Sequence, residues 1–130
     1  MRLVPTVLLC AALALPAAAK PPLRDVAEID NALMAIAIAD EIRKTCDGIN
    51  ARLILAYTTI NALKSRAESL GYTEDEIDAY VTSKSEKDRM RAKATAYLAS
   101  KGVDAKDKGE LCAFGKAEIA SDSAIGRLLR

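Results

Sequence analysis

The 130-residue chain contains no histidine and no tryptophan, one phenylalanine and four tyrosines. The missing histidine removes the commonest general base and the commonest metal ligand together. A Ser-His-Asp triad is therefore excluded, and G-x-S-x-G, P-loop, G-x-G-x-x-G and C-x-x-C-H spacings are absent as well. These absences point away from an enzyme, and no catalytic residue, cofactor or metal ligand set is expected. Aromatics being scarce, the 51% hydrophobic content is carried mainly by Ala, Leu and Ile. That composition favours helix over strand.

A net charge of one sign is also missing. The sequence reads at its start as a secretory signal peptide over residues 1–19. Arg2 is the positive end, Leu3 to Leu15 the apolar middle, and Pro16-Ala17-Ala18-Ala19 a small-residue cleavage region. Cleavage there takes Arg2 and no acid, leaving 18 basic and 18 acidic residues. Neutrality argues against a nucleic-acid partner, which needs a positive field, and against electrostatic attachment to anionic lipid. The apolar run is short for a membrane span and interrupted by Pro5 and Pro16, so no stable membrane anchor is expected after cleavage. A lipoprotein reading of Cys10 is weakened by the large Leu9 before it.

Three cysteines are present, and Cys10 falls in the signal segment. Cys46 and Cys112 then form an even pair in an oxidising compartment, where a disulfide is the default. The loop it would close is roughly 65 residues long, worth on the order of 4 kcal/mol by chain entropy. A redox-active pair would want C-x-x-C spacing, which these two lack.

What is there reads as an all-α fold, a small bundle of about five helices. Residues 20–28, with Pro21 and Pro22, read as an extended leader with little packing of its own. Residues 29–130 read as a single helical domain. Its first helix carries the run Leu33-Met34-Ala35-Ile36-Ala37-Ile38-Ala39, apolar on every side, as in a helix buried among others. Asp47-Gly48 is a stop signal, and Asn50 or Asp47 can cap the next helix. In that helix Ile49, Leu53, Ala56, Ile60, Leu63, Ala67 and Leu70 recur at steps of four and three. Such a seam suits either a coiled coil between chains or internal packing in a bundle, and the shortness of the run favours the bundle. Thr73 and Glu76 form a capping box, with Tyr72 and Ile77 at the staple positions. Ile77, Tyr80 and Val81 give the third helix one buried stripe. Ser85, followed by Asp88, is the expected cap of a fourth helix whose Met90, Ala94, Tyr97 and Leu98 face inward. Asp104 or Asp107 caps a fifth, with Glu110 three residues after Asp107. Leu111, Cys112, Phe114 and Ile119 supply its apolar contacts, and Ile125, Leu128 and Leu129 form a last short turn.

Three polar groupings deserve weighing as sites. Glu74, Asp75, Glu76 and Asp78 could chelate a cation, but they occupy the first turn of a capped helix, where the dipole alone favours acids. Lys84, Lys87 and Arg91 share a helix face, interrupted by Glu86 and Asp88, the pattern of a solvated, salt-bridged surface. Asp40 lies beside the row Ile29, Leu33, Ile36 and is the acid expected to start partly buried. Lys44 at i+4 and Arg52 on the next helix are its candidate partners. A catalytic carboxylate needs a second titrating group at a different pKa, and none is at hand.

Several strings resemble a known family: Ile29-Asp-Asn-Ala-Leu-Met-Ala, Ala39-Asp-Glu-Ile-Arg-Lys-Thr-Cys-Asp-Gly-Ile-Asn-Ala-Arg, Leu70-Gly-Tyr-Thr-Glu-Asp-Glu-Ile-Asp-Ala-Tyr-Val and Leu111-Cys-Ala-Phe-Gly-Lys-Ala-Glu-Ile. The chain resembles an uncharacterised domain-of-unknown-function family of small exported proteins from Gram-negative bacteria. The resemblance implies a periplasmic location and both cysteines as a family feature, and it carries no activity or site. The expectation is a non-enzymatic periplasmic binding or interaction protein with a protein or small-molecule partner. A stress holdase is the alternative, and an enzyme using a buried carboxylate such as Asp40 the third reading.

Overall fold

The computed structural model describes residues 19–130. Residues 1–18 of the expected signal peptide, Cys10 among them, lie outside that range. Five helices follow one another: α1 (Ala27–Thr45), α2 (Leu53–Ser69), α3 (Glu74–Thr82), α4 (Lys84–Ser100) and α5 (Lys108–Ala120). Short 3-10 turns precede and follow them at Leu23–Asp25 and Gly126–Leu128. The fold is all-α; among the described residues extended pairing is confined to one isolated bridge, Ala51 with Leu129.

α1 is the axis of the bundle. Its apolar run has no polar face to give to water, so α4, α5, α2 and the two 3-10 turns pack around it. Ile38 and Ile42 are fully buried, together with Leu111 of α5. Each such aliphatic side chain contributes about 1.5–3 kcal/mol by leaving water. α1 stops at Cys46, and Gly48 takes a left-handed φ of 82° that lets the chain reverse. Cys46 and Cys112 are bonded, tying the end of α1 to α5. At Gly115, one turn further along α5, a methyl group would sit 2.8 Å from Ile42 Cγ2, so the missing side chain is what lets α5 approach α1. The C-terminal turn is packed more tightly still. A methyl at Gly126 would lie 1.9 Å from the backbone oxygen of Glu118, and Ile125, Leu128 and Leu129 are buried in the main core.

Tyr72 and Ile77 are both buried in a second, smaller core with Leu23, Ile29 and Ala67, and the Thr73–Glu76 capping box forms in both directions. Asp107 caps α5 through the Glu110 N–H.

Four expectations are corrected. The leader is not a loose extended strand. Leu23 is buried, the Lys20 ammonium donates to the Gly71 carbonyl at 2.8 Å and pairs with Glu76, and the Tyr72 hydroxyl donates to the Pro21 carbonyl. The two prolines set the path, and Leu23 supplies the apolar anchor that pulls it onto the small core. α2 begins at Leu53 without a side-chain cap, later than Asn50 or Asp47 would start it. The Asn50 N–H and C=O are both bonded to Arg130, and the Arg52 N–H donates to the Leu128 carbonyl, so the C-terminal tail holds residues 50–52 extended. α4 is capped by Ser83, not Ser85: the Ser83 hydroxyl accepts from the Glu86 N–H, and the same residue ends α3. Finally, Val81 is 48% exposed rather than part of a buried stripe.

Candidate functional site

The buried acid is Asp30, one turn into α1, and not Asp40. Asp30 is 3% exposed, and Glu86 of α4 is the other buried charged residue among those described. Asp30 Oδ1 accepts from Arg89 Nη2 at 2.6 Å and from the Tyr80 hydroxyl at 3.0 Å. Oδ2 accepts from Lys93 Nζ at 2.5 Å and from Arg89 Nη1 at 3.3 Å. Arg89 Nε also donates to Glu86 at 2.8 Å, and Arg24 from the first 3-10 turn closes the chain by pairing with Glu86. Lys93 further donates to the Asn31 side chain at 2.7 Å. Three side chains from α3 and α4 thus meet around one carboxylate of α1, with Glu86, Arg24 and Asn31 joined to it through them.

The electrostatics follow from that geometry. Burial alone would raise the Asp30 carboxyl, but the bonds from Arg89, Lys93 and Tyr80 outweigh it and bring its pKa from 3.8 down to about 2. Burial pushes the Tyr80 phenol up to about 12, and its bond to ionised Asp30 adds to that. Arg89 is raised by its bonds to Asp30 and Glu86. Asp30, Tyr80 and Arg89 are each held in their ordinary charge state, and both Asp30 oxygens are engaged. The arrangement can clamp helices together; it does not poise a proton for transfer near neutral pH. Removing either side of such a pair leaves a buried charge uncompensated, which is the costly event.

Asp40 is intermediate in exposure and bonded within its own helix, to Arg43 at 2.6 Å and Lys44 at 2.5 Å. Burial raises its pKa, but the bonds from Lys44 and Arg43 prevail and lower it. The expected Asp40–Lys44 pair is therefore present, with Arg43 added. Arg52 is not a partner; its guanidinium reaches the Arg127 carbonyl at 3.4 Å on another side of the molecule. A residue 12 positions later in sequence, beyond a chain reversal held by the C-terminal tail, does not return to the same face. The structure does bring Asp40 and Lys44 beside Lys87 and Arg91, across an open groove of ≈ 440 Å³ whose floor includes Ala37, Ile38, Ala94 and Leu98. Lys84 and Arg91 both pair with Asp88, and Glu74 with Lys64, in keeping with solvated faces.

The second unusual region is the outward face of α2. Leu53 is 67% exposed, Ile54 84%, Tyr57 67% and Ile60 46%. The seven-residue seam packs internally only in part. Ile49 and Ala67 are buried and Ala56 and Leu63 are half-buried, whereas Leu53, Ile60 and Leu70 are exposed. At 100° per residue the seam straddles the edge between core and solvent: its Ala56, Leu63 and Ala67, with Leu55 and Thr59 beyond them, turn toward the bundle.

The Asp30 cluster escaped the sequence reading because Asp30 stands at the polar start of α1, where an acid is ordinarily a solvated dipole partner. Its partners are 50 to 63 residues away. The spacing Glu86, Arg89, Lys93 on one face of α4 was the available signal.

These features define a class: a small, disulfide-stapled, all-α bundle with a buried ionic clamp and, among the described residues, an exposed apolar helix face. More particularly, the chain belongs to DUF5333, a family of unknown function, whose model matches residues 21–130. No curated protein and no solved structure matches the chain.

Proposed function

We propose that this protein is a non-enzymatic interaction module of the periplasm, engaging its partner through the exposed apolar face of α2. The observation that carries this reading is the cluster Leu53, Ile54, Tyr57 and Ile60, apolar side chains set outward on a helix whose other face is anchored to the core. Contiguous apolar surface of this kind on a folded chain marks an interaction site. The periplasmic part rests on the signal-like residues 1–19 and on the Cys46–Cys112 disulfide, which belongs to oxidising compartments. Among the described residues no helix is long and apolar enough to cross a membrane.

The holdase alternative draws on the same face. Its acid-activated form gains nothing from the Asp30 clamp, which keeps its charge until about pH 2. The enzyme reading rested on Asp40 as a buried carboxylate, and that side chain is 38% exposed and paired to Arg43 and Lys44.

The test is a photo-crosslinking side chain placed at Tyr57 in cells, with the same group at exposed Ala113 on α5 as control. An adduct at position 57, absent at 113 and lost in Ile54→Glu, is expected. Equal labelling at the two positions would remove the interaction reading. Intact mass of protein from an osmotic-shock fraction tests the compartment; the expected product begins at Lys20.

A further inference from the structure

We propose that the open pocket between α1, α4, α5 and the C-terminal turn binds a small zwitterion with an apolar body. Its ammonium pairs with Glu118 and its carboxylate with Lys93 and Asn31. No lining residue of this pocket lies on α2, so the site is independent of the interaction reading above.

The pocket encloses ≈ 650 Å³, a size that suits a small molecule. Met34 and Ala35 of α1, Tyr97 of α4 and Ile125 beyond α5 give it apolar walls. Its polar groups are few, and they differ from wall to wall.

On the α5 wall stands Glu118. Among the described residues it is the one acid that is half-buried with neither a hydrogen bond nor an ion pair on its carboxylate; the other unpaired acids, Asp25, Glu68, Asp75 and Asp78, are exposed. A carboxylate partly withdrawn from water and lacking a counter-charge favours a cation beside it. The backbone beneath it is fixed. The Ser121 and Ser123 hydroxyls donate to the Glu118 carbonyl at 3.1 and 3.4 Å, and Gly126 packs against the same oxygen.

The wall made by α1 and α4 is its opposite, a set of donors. Lys93 Nζ donates to Asp30 at 2.5 Å and to Asn31 Oδ1 at 2.7 Å, so two of its three protons are engaged and its position is held. Asn31 accepts through its oxygen, and its amide N–H groups have no acceptor among the described residues. Lys101, 5.5 Å from the centre of the Tyr97 ring, adds positive charge on this side. Lys93 and Glu118 form no ion pair across the pocket, and apolar side chains separate them. A ligand of one charge satisfies one wall only. A molecule with an ammonium at one end and a carboxylate at the other satisfies both, a chemistry shared by ω-amino acids and short apolar peptides.

The experiment is a heteronuclear NMR titration of the full chain, disulfide formed, with ε-aminocaproate up to about 10 mM, the range for a ligand of so few atoms. Saturable shifts are expected at the amides around Lys93, Tyr97 and Glu118. Caproate and pentylamine, each lacking one of the two charges, should bind at least about tenfold more weakly. Glu118→Gln keeps the shape and has no bond to lose, so it should retain the helical circular dichroism while ε-aminocaproate falls to the level of caproate. Asn31→Ala should weaken ε-aminocaproate and leave pentylamine unchanged. No saturable shift, either singly charged probe binding as well as the zwitterion, or Glu118→Gln binding as the parent does overturns the inference. Alanyl-leucine, titrated alongside, separates the two sources: tighter binding than ε-aminocaproate assigns the site to a peptide, weaker binding to an ω-amino acid.

Discussion

α1 and α2 are neighbours joined by a short reversal, similar in length and in apolar content, and they end in opposite situations. α1 is surrounded: Ile38 and Ile42 have almost no contact with water, and even its acid Asp30 is enclosed by Arg89, Lys93 and Tyr80. α2 is held along one edge, with Ala67 its one buried residue and Ile54 84% exposed. The difference teaches that apolar periodicity says a helix has a face to cover and does not say what covers it. In α1 the apolar residues run all round, so any stable packing must enclose them. In α2 two adjacent apolar stripes exist, and the bundle uses one.

The comparison can be broken most forcefully at the staple. Replacing Cys46 and Cys112 by Ser releases α5 from the end of α1 and should cost about 4 kcal/mol, the loop entropy of the bridge. Urea unfolding with and without reductant measures it, and a difference under about 1 kcal/mol would mean the core alone fixes α5.

Next is the core of α1. Ile42→Ala should cost about 3 kcal/mol, as expected for a fully buried aliphatic residue, read as a fall in the urea midpoint at constant slope.

The ionic clamp comes third. Asp30 has its pKa lowered from 3.8 to about 2 on folding, so its contribution is fully present above about pH 4 and is lost as pH falls through about 2. The amount is about 2 kcal/mol. Asp30→Asn should remove that acid dependence and lower stability at pH 7 by at least about 2 kcal/mol, since Arg89 and Lys93 lose their counter-charge. Unfolding followed by circular dichroism at several pH values tests both. An unchanged acid limb in the variant would show that other carboxylates control it.

The smallest effect sharpens the contrast. Ile54→Ala on the outer face of α2 should leave the stability of the isolated chain within about 0.5 kcal/mol of the parent, although it removes as much side chain as Ile42→Ala. A loss approaching that of Ile42 would place Ile54 in contact with something in the protein as purified.

Much of the fold is legible from local chemistry. The Thr73–Glu76 box, the Asp107 cap and the Gly48 reversal are short-range arrangements whose donors and acceptors lie within three or four residues, so spacing identifies them. The shift of a cap from Ser85 to Ser83 is the same chemistry with two hydroxyls in competition. The candidate site is less legible. Asp40 borders an apolar row on the helical wheel, yet it sits near the end of α1 where α4 leaves an open groove, and neighbours on its own helix neutralise it. Asp30 stands in the first turn of α1, where an acid is ordinarily solvated. Its burial depends on Leu23 docking the leader and on α4 bringing Arg89 and Lys93 across from more than fifty residues away.

By itself, then, the sequence determined the class: an Ala/Leu/Ile-rich, aromatic-poor, histidine-free chain makes helices, punctuates them with caps and glycines, and leaves Cys46 and Cys112 to pair, because these are consequences of composition and near-neighbour geometry. Tertiary structure alone decided which apolar stripe of α2 faces water, which acid is enclosed, and that the C-terminal tail holds residues 50–52 extended. Those outcomes are set by packing between elements far apart in the chain, where the burial of one face is fixed by what other helices have already covered.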